Sequence, residues 1–253
     1  MAYKNPIPSF EESTDLSDFK SEYTSLEPVY FAFIDALGFK KTFDDIKISN
    51  KFDDIEKYKD VFGYYFEIMY STRLMREGME ACYAGQTSDS LYFYTVRTDY
   101  LLDFIKIYSH FSLYAMSKNV FFRGGIAKGK LFRKRDYQFY GDCVIGAYLL
   151  ESNVSKLPRI LIDERTNTDL LMEDGYKNLI GDTENGRNVI SPFSMINKPI
   201  DYLIEREVLR EIDYDEIEKN IEANIKAYEF VPGLYEKYAY LRNEYSNAIG
   251  RIK

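Results

Sequence analysis

Three runs dense in aromatic and β-branched residues, separated by two long stretches of helical periodicity, restrict the fold more than any other feature of the chain. The first run, Val29-Tyr30-Phe31-Ala32-Phe33-Ile34-Asp35, reads as a short buried strand. Leu37-Gly38-Phe39 then turns the chain into a helix, and the charged DDIKISNKFDDIEKY stretch leads out of it. From about Asp53 to Glu80 apolar residues recur at helical spacing (Ile55, Tyr58, Phe62, Tyr65, Phe66, Met69), which predicts a long amphipathic helix. ACYAGQ, TSDS and LYFYTV read as strand, tight turn and strand. A second helical stretch covers residues 99–118, and NVFFRGGIAKGKLF is a strand whose glycines allow close approach of another backbone or a ligand.

Beyond that strand, RKRDYQF reads as an exposed arm, residues 141–152 as a helix, RILID as a strand, and 164–173 as a short helix with Thr166 or Asn167 near its start. The order β-α-α-β-β-α-β-arm-α-β is a split βαβ, ferredoxin-like core of the α/β (α+β) class with additions. Residues 1–27, polar and carrying Pro6 and Pro8, form a loose lead-in. The segment 201–253, rich in Glu, Lys and Tyr, predicts two helices separated near Pro232-Gly233.

Composition excludes several functions. A formal charge of −8 argues against a broad basic face for nucleic acid, though not against a basic pocket for one small anion. No run approaches the roughly 18 apolar residues of a membrane span, and the polar, acidic N-terminus does not read as a secretory signal. Cys82 and Cys143 are the only cysteines and fit a reduced, cytoplasmic protein. The single histidine, His110, reads as a packed or surface residue, because no GxSxG nucleophile motif accompanies it.

Two aspartates stand out. Asp35 ends an apolar strand just before a Gly-containing turn, and Asp89 lies at the tip of the second strand pair. Carboxylates on neighbouring strands suit a pair of divalent ions that hold a nucleoside triphosphate. Each residue taken alone also has an ordinary structural reading: Asp35 as a helix cap, Asp89 as a turn former, Arg123 as a surface ion pair, Gly124-Gly125 as packing. Lys128 and Lys130 share a strand face opposite that of Arg123 unless a bulge intervenes.

From about residue 29 to 170 the joint pattern resembles the catalytic domain of class III nucleotidyl cyclases. The resemblance implies that Asp35, the Ala36 carbonyl and Asp89 bind two Mn²⁺ or Mg²⁺ ions, with Asp35 and Asp89 as the catalytic carboxylates. It implies that the turn Leu37-Gly38-Phe39 and Arg123 bind the triphosphate. It also implies a homodimer with active sites at the subunit interface. The domain division expected on this basis is a lead-in at 1–27, a cyclase domain at 28–200, and a helical C-terminal extension at 201–253 that buttresses the dimer or carries the trigger.

The departures narrow the resemblance. Where purine cyclases carry side chains that read the base edge, this chain has Gly85 and Gln138. Where many members carry a transition-state Asn and Arg, it has Ile145 and Leu149; Arg133, Lys134 and Arg135 on the arm are possible substitutes. These features are similar to the bacterial pyrimidine cyclases of Pycsar antiphage systems, on Asp35-Ala36-Leu37-Gly38-Phe39, Ser88-Asp89-Ser90, Arg123-Gly124-Gly125-Ile126, Tyr140-Gly141 and Ala147-Tyr148-Leu149-Leu150-Glu151. That likeness implies conversion of UTP, or less readily CTP, to a cyclic monophosphate acting on a separate effector. Gly85, Gln138 and Tyr140 are the expected base-pocket positions, with Tyr92 or Phe139 as further aromatic walls. The competing readings are a non-catalytic nucleotide sensor on the same fold, a purine cyclase with unusual base recognition, and a ferredoxin-like interaction domain. No GGDEF-like run follows the hairpin, which disfavours a diguanylate cyclase.

Overall fold

The computed structural model describes residues 23–42, 44, 53–72, 81–134, 138–181, 187–196, 198, 200, 203–204 and 206–250. Most of the lead-in, of the charged loop before Asp53, and the arm residues 135–137 lie outside this set. In chain order the elements are β1 (Tyr23–Ala36), α1 (Asp53–Ser71), β2 (Cys82–Thr87), β3 (Ser90–Thr95), α2 (Thr98–Ser117), β4 (Phe122–Lys134), β5 (Phe139–Tyr140), α3 (Asp142–Leu149), β6 (Ile160–Ile162), α4 (Glu164–Leu170), β7 (Val189–Ile190), α5 (Tyr214–Ala227) and α6 (Pro232–Gly250).

The seven-stranded sheet runs β2-β3-β1-β4-β6-β7, with β5 folded back on β4. β1 lies antiparallel between β3 and β4, so its two ladders are satisfied on both sides. β6 joins parallel to β4, the one parallel pair among the described strands. This is the mixed α/β fold with a split βαβ, ferredoxin-like core expected from the sequence, followed by helices α5 and α6.

Strand parity divides the side chains between two faces. Tyr30, Ala32, Ile34, Leu91, Phe93, Phe122 and Ile126 pack with α1 and α2 in the main core. Phe31, Tyr94, Ala127 and Leu131 face the other way and pack with Cys143 and Ala147 of α3 and with Leu150 just after it. The two cysteines are free and buried, one in each of these cores. A further core joins Leu113, Met116, Phe121 and Phe193 to Ile217, Ile221, Ile225, Tyr238 and Leu241 of α5 and α6. α5 begins at an Asp cap whose side chain accepts from the Glu216 amide, and its buried residues recur at i, i+4 and i+8.

Three elements differ from expectation. β1 starts at Tyr23 rather than Val29, because its polar first residues pair with the outer half of β4 past a register shift between Leu26 and Val29. There Thr24, Ser25 and Glu27 of β1 are exposed, so no apolar alternation marks the strand. The short helix α4 is capped by Asp163, which accepts from the Thr166 amide at 2.8 Å. After α3 the chain widens into a π turn over Leu150–Val154, in which the Ser155 amide donates to the Leu150 carbonyl five residues back.

No helix among the described residues is long and apolar enough to cross a membrane. His110 accepts or donates a 3.2 Å hydrogen bond with the Tyr64 hydroxyl between α1 and α2. Burial holds the His110 imidazole down at about 4.

Candidate active site

β1 and β4 are in register such that Asp35 stands directly opposite Arg123, while on the other side Asp35 stands opposite Ser90. All three follow from one fact: β1 is the central strand of the antiparallel core, and its last polar residue has a neighbour on each flank. The β2–β3 hairpin closes with a two-residue turn, Ser88-Asp89, with Ser88 in the left-handed region at φ 56°. The Ala36 amide donates to the Asp89 carbonyl at 3.1 Å, which ties the tip of that hairpin to the end of β1. The sequence therefore folds the two aspartates to one end of the sheet, as expected.

The Asp35 carboxylate does not cap a helix. It accepts from the Ser90 hydroxyl at 3.2 Å and lies 3.6 Å from an Arg123 guanidinium nitrogen. Burial and the neighbouring Asp89 charge hold it above the usual carboxylate range, with Arg123 and Ser90 acting in the opposite direction. Arg123 is also paired with Glu151 at 2.6 Å and donates to the Ser155 carbonyl at 3.4 Å. Its guanidinium thus bridges two carboxylates instead of projecting freely toward a ligand.

Glu151 was not singled out by sequence for any role. It is 3% exposed at the start of the π turn, where one extra residue per turn changes which side chains face the sheet. Burial raises its affinity for a proton; Arg123 lowers it, and Asp35 and Asp89 add to the rise. In sequence it appeared only as the last residue of the Ala147-Tyr148-Leu149-Leu150-Glu151 motif, with no role attached, and helical periodicity alone places it on an uninformative face.

The turn after Asp35 is used differently from expectation. The Leu37 amide donates to the Phe121 carbonyl at 2.8 Å and so is committed to clamping the end of β1 against the start of β4. Leu37 therefore loses its expected place among the phosphate donors. Gly38 adopts φ 81° and its carbonyl accepts from the Thr42 amide, beginning the short helix at 39–42. The Phe39 ring packs edge-on against Tyr58 at 4.9 Å, so its side chain belongs to the core.

The expected base-pocket positions separate. Gly85 lies opposite Tyr92, and a Cβ there would meet the Tyr92 ring at 2.4 Å, so that ring occupies the space a side chain would need. Tyr92 and Phe139 belong to an aromatic group with Phe31, Tyr83 and Tyr94 on the α3 side of the sheet, with Tyr92 and Phe139 ring centroids 5.5 Å apart. Phe33, opposite Tyr92 and two residues before Asp35, extends this group toward the carboxylates. Gln138 is exposed and its carbonyl accepts from the Lys134 amide; Tyr140 is exposed on the opposite side of the β5 ribbon from Phe139. Neither joins the aromatic group.

Lys128 and Lys130 lie on the face away from Arg123, as strand parity indicates: Lys128 pairs with Asp169 at 2.5 Å and Lys130 with Glu27 at 3.7 Å. Arg133 donates to the Tyr94 hydroxyl at 2.9 Å, at the aromatic rather than the carboxylate end. Ile145 and Leu149 are exposed on α3, together with Tyr148, whose ring meets Phe33 edge-on at 5.7 Å.

No family model and no curated protein matches this chain. Among solved structures, the chain is similar to a monomeric double mutant of the guanylyl cyclase domain of the RhoGC fusion protein from the aquatic fungus Blastocladiella emersonii. That match has 17% identity over 67% of this chain and 97% of the other, with a TM-score of 0.46. The catalytic core of a rhodopsin-guanylyl cyclase with converted specificity, in complex with ATPαS, shows 18% identity over 67% and 98%, with a TM-score of 0.44. The guanylyl cyclase Cya2 shows 16% identity over 66% and 91%, with a TM-score of 0.39.

Proposed function

We propose that this chain is a nucleotidyl cyclase acting on a pyrimidine nucleoside triphosphate, UTP ahead of CTP. It would form the 3′,5′-cyclic monophosphate and pyrophosphate. The observation that carries this reading is the placement of Asp35 and Asp89 at one sheet end, with Arg123 directly across from Asp35.

The donor set suits Mn²⁺ or Mg²⁺, which prefer hard oxygen ligands: two carboxylates and the carbonyl of Ala36 at the strand end. The fit rests on like charge: Asp35 and Asp89 repel one another, and Arg123 offsets this in part. Among the described residues no group of three or more His, Cys, Asp or Glu is arranged to hold a metal alone. Phosphate oxygens of the substrate would therefore complete the coordination. When bound, such ions acidify the attacking hydroxyl and neutralise the leaving phosphates.

In the reaction the ribose 3′-oxygen forms a bond to the α-phosphorus, the bond from that phosphorus to the bridging oxygen breaks, pyrophosphate departs, and the hydroxyl proton is released. Asp35 and Asp89 orient the reacting end. Arg123, held by Glu151, presents positive charge to the triphosphate. The aromatic group around Tyr92 supports a preference for the smaller ring: with Gly85 overlain by Tyr92, there is no room for a side chain where a purine-reading one would stand.

Exposed Ile145, Tyr148 and Leu149 support a homodimer in which α3 faces a second copy. In this reading the product is a second messenger for a separate effector in antiphage defence, made in the cytoplasm, with the extension from 201 onward attached to the cyclase domain. A second reading, a nucleotide sensor without turnover, is favoured by the apolar Ile145 and Leu149.

Incubation with Mn²⁺ and each of ATP, GTP, CTP and UTP, followed by chromatography and mass analysis, tests the proposal. A cyclic product from UTP or CTP alone is expected. A cyclic purine would overturn the base preference, and tight nucleotide binding with no product would favour the sensor.

A further inference from the structure

The helical extension reaches the carboxylate end of the sheet. Leu37 and Phe121, joined by their backbone hydrogen bond, are the last and first residues flanking the β1 and β4 ends. Tyr238 of α6 packs edge-on against Phe121 with ring centroids 5.2 Å apart, and Leu37 packs against the same apolar group. Two residues on, Tyr240 lies under the Arg159 guanidinium at 5.0 Å, and the Arg159 carbonyl accepts from the Gly124 amide beside Arg123. At the connection between α5 and α6 the Lys41 ammonium lies 4.9 Å from the Tyr228 ring, so the chain after Asp35 is contacted from that side also.

Lys237 precedes Tyr240 by three residues in α6 and so lies on the same helical face, the one turned toward Arg159. Lys237 is half-buried, within electrostatic reach of both Arg123 and Asp35, and forms no ion pair among the described residues. A half-buried ammonium within electrostatic range of a guanidinium is a poor arrangement in isolation, because like charges repel and neither is fully hydrated. It becomes favourable when a polyanion lies between them.

We propose that Lys237, delivered by α6, is a triphosphate-binding residue, and that the helical extension is thereby part of the active site rather than a buttress alone. This rests on the cyclase reading above. With Asp35 and Asp89 committed to divalent cations, Arg123 and Lys237 are the two cations left facing the phosphate oxygens. A mobile lysine head suits the terminal phosphates, whose charge grows as pyrophosphate leaves, whereas the guanidinium held by Glu151 is the fixed element.

The test uses the full chain and a ligand without a base: inorganic tripolyphosphate with Mn²⁺, titrated by calorimetry into wild type, Lys237→Met, Lys237→Arg and Lys226→Met. Lys226 is exposed on α5 and controls for net charge. Loss of one charge-assisted contact predicts binding about tenfold weaker in Lys237→Met, substantial recovery in Lys237→Arg and no change in Lys226→Met. With the preferred nucleotide, Lys237→Met should raise KM and also lower kcat, because the contact strengthens as pyrophosphate leaves. Wild-type affinity for tripolyphosphate in Lys237→Met would overturn the assignment of Lys237 and leave the cyclase reading standing. Failure of wild type to bind tripolyphosphate or any of the four nucleoside triphosphates would overturn both.

Discussion

The identity of Asp35 and Asp89 as acid residues at a strand end and a hairpin tip was legible because both positions are local: a short apolar run, then a turn. Asp35→Asn and Asp89→Asn should each abolish product formation while circular dichroism stays unchanged; full activity in both would remove the pair from the reaction. The Asp35–Arg123 pairing was less legible, since register between strands so far apart in sequence is set by the whole sheet. Glu151 was hidden by the π turn, and Lys237 by its setting in a stretch where lysines alternate with glutamates and tyrosines. The Arg123–Glu151 pair gives a residue-scale prediction. Removing Arg123 leaves Glu151 buried without its cation, so Arg123→Met should destabilise by about 2–4 kcal/mol in urea titrations. The Arg123→Met, Glu151→Leu double variant should recover much of that loss, and additive losses would show that the two are not coupled. Arg123→Ala should chiefly raise KM for the triphosphate; unchanged KM and kcat would exclude Arg123 from binding it.

At the scale of elements, α3 lies close on β4 because Gly125 has no side chain: a Cβ there would meet the Ala147 carbonyl at 2.4 Å and Leu150 at 2.5 Å. Backbone and a well-packed leucine cannot yield as a flexible side chain would. Gly125→Ala should therefore cost about 1–3 kcal/mol and displace α3, read by urea denaturation. Close approach at these glycines was expected from the strand's composition, but not the identity of what approached. The contact of α1 with α2 gives a pH prediction. The folded protein holds His110 neutral down to about 4, whereas in the unfolded chain it titrates near the ordinary value of 6.5. The unfolded state then binds more protons between these values, so stability is fully present above about pH 6.5 and falls as pH drops toward 4. The loss by pH 5 should be about 2 kcal/mol, and it should be absent in His110→Gln. An equal slope in both proteins would show that other groups carry the acid response. The positions of the helices followed from periodicity, although α1 ends at Ser71 and residues 73–80 of the expected helix lie outside the described set; β7 and the first residues of β1 were too short or too polar on both faces to leave a pattern.

For the whole molecule, the α3 side of the sheet is the less covered one, with Ile145 60% and Tyr148 51% exposed. A dimer that buries this face predicts that Ile145→Glu yields monomers by light scattering and loses activity, while a dimer of unaltered mass would place the interface elsewhere. The extension was read from sequence as two helices and that is what forms, but its packing against Phe121 and Leu37 was not foreseeable, because an aromatic-rich amphipathic helix can lie on many surfaces. Its position has a consequence for how substrate is admitted. At this end of the sheet Asp35, Asp89 and Glu151 act on one another's charge together with Arg123 and Lys237, so the carboxylates outnumber the cations. A bare triphosphate is repelled by such a balance, and its apparent affinity should climb steeply with divalent ion concentration, then level off. The pocket would thus read the metal–nucleotide complex as one object, rejecting free nucleotide by charge before any feature of the base is tested.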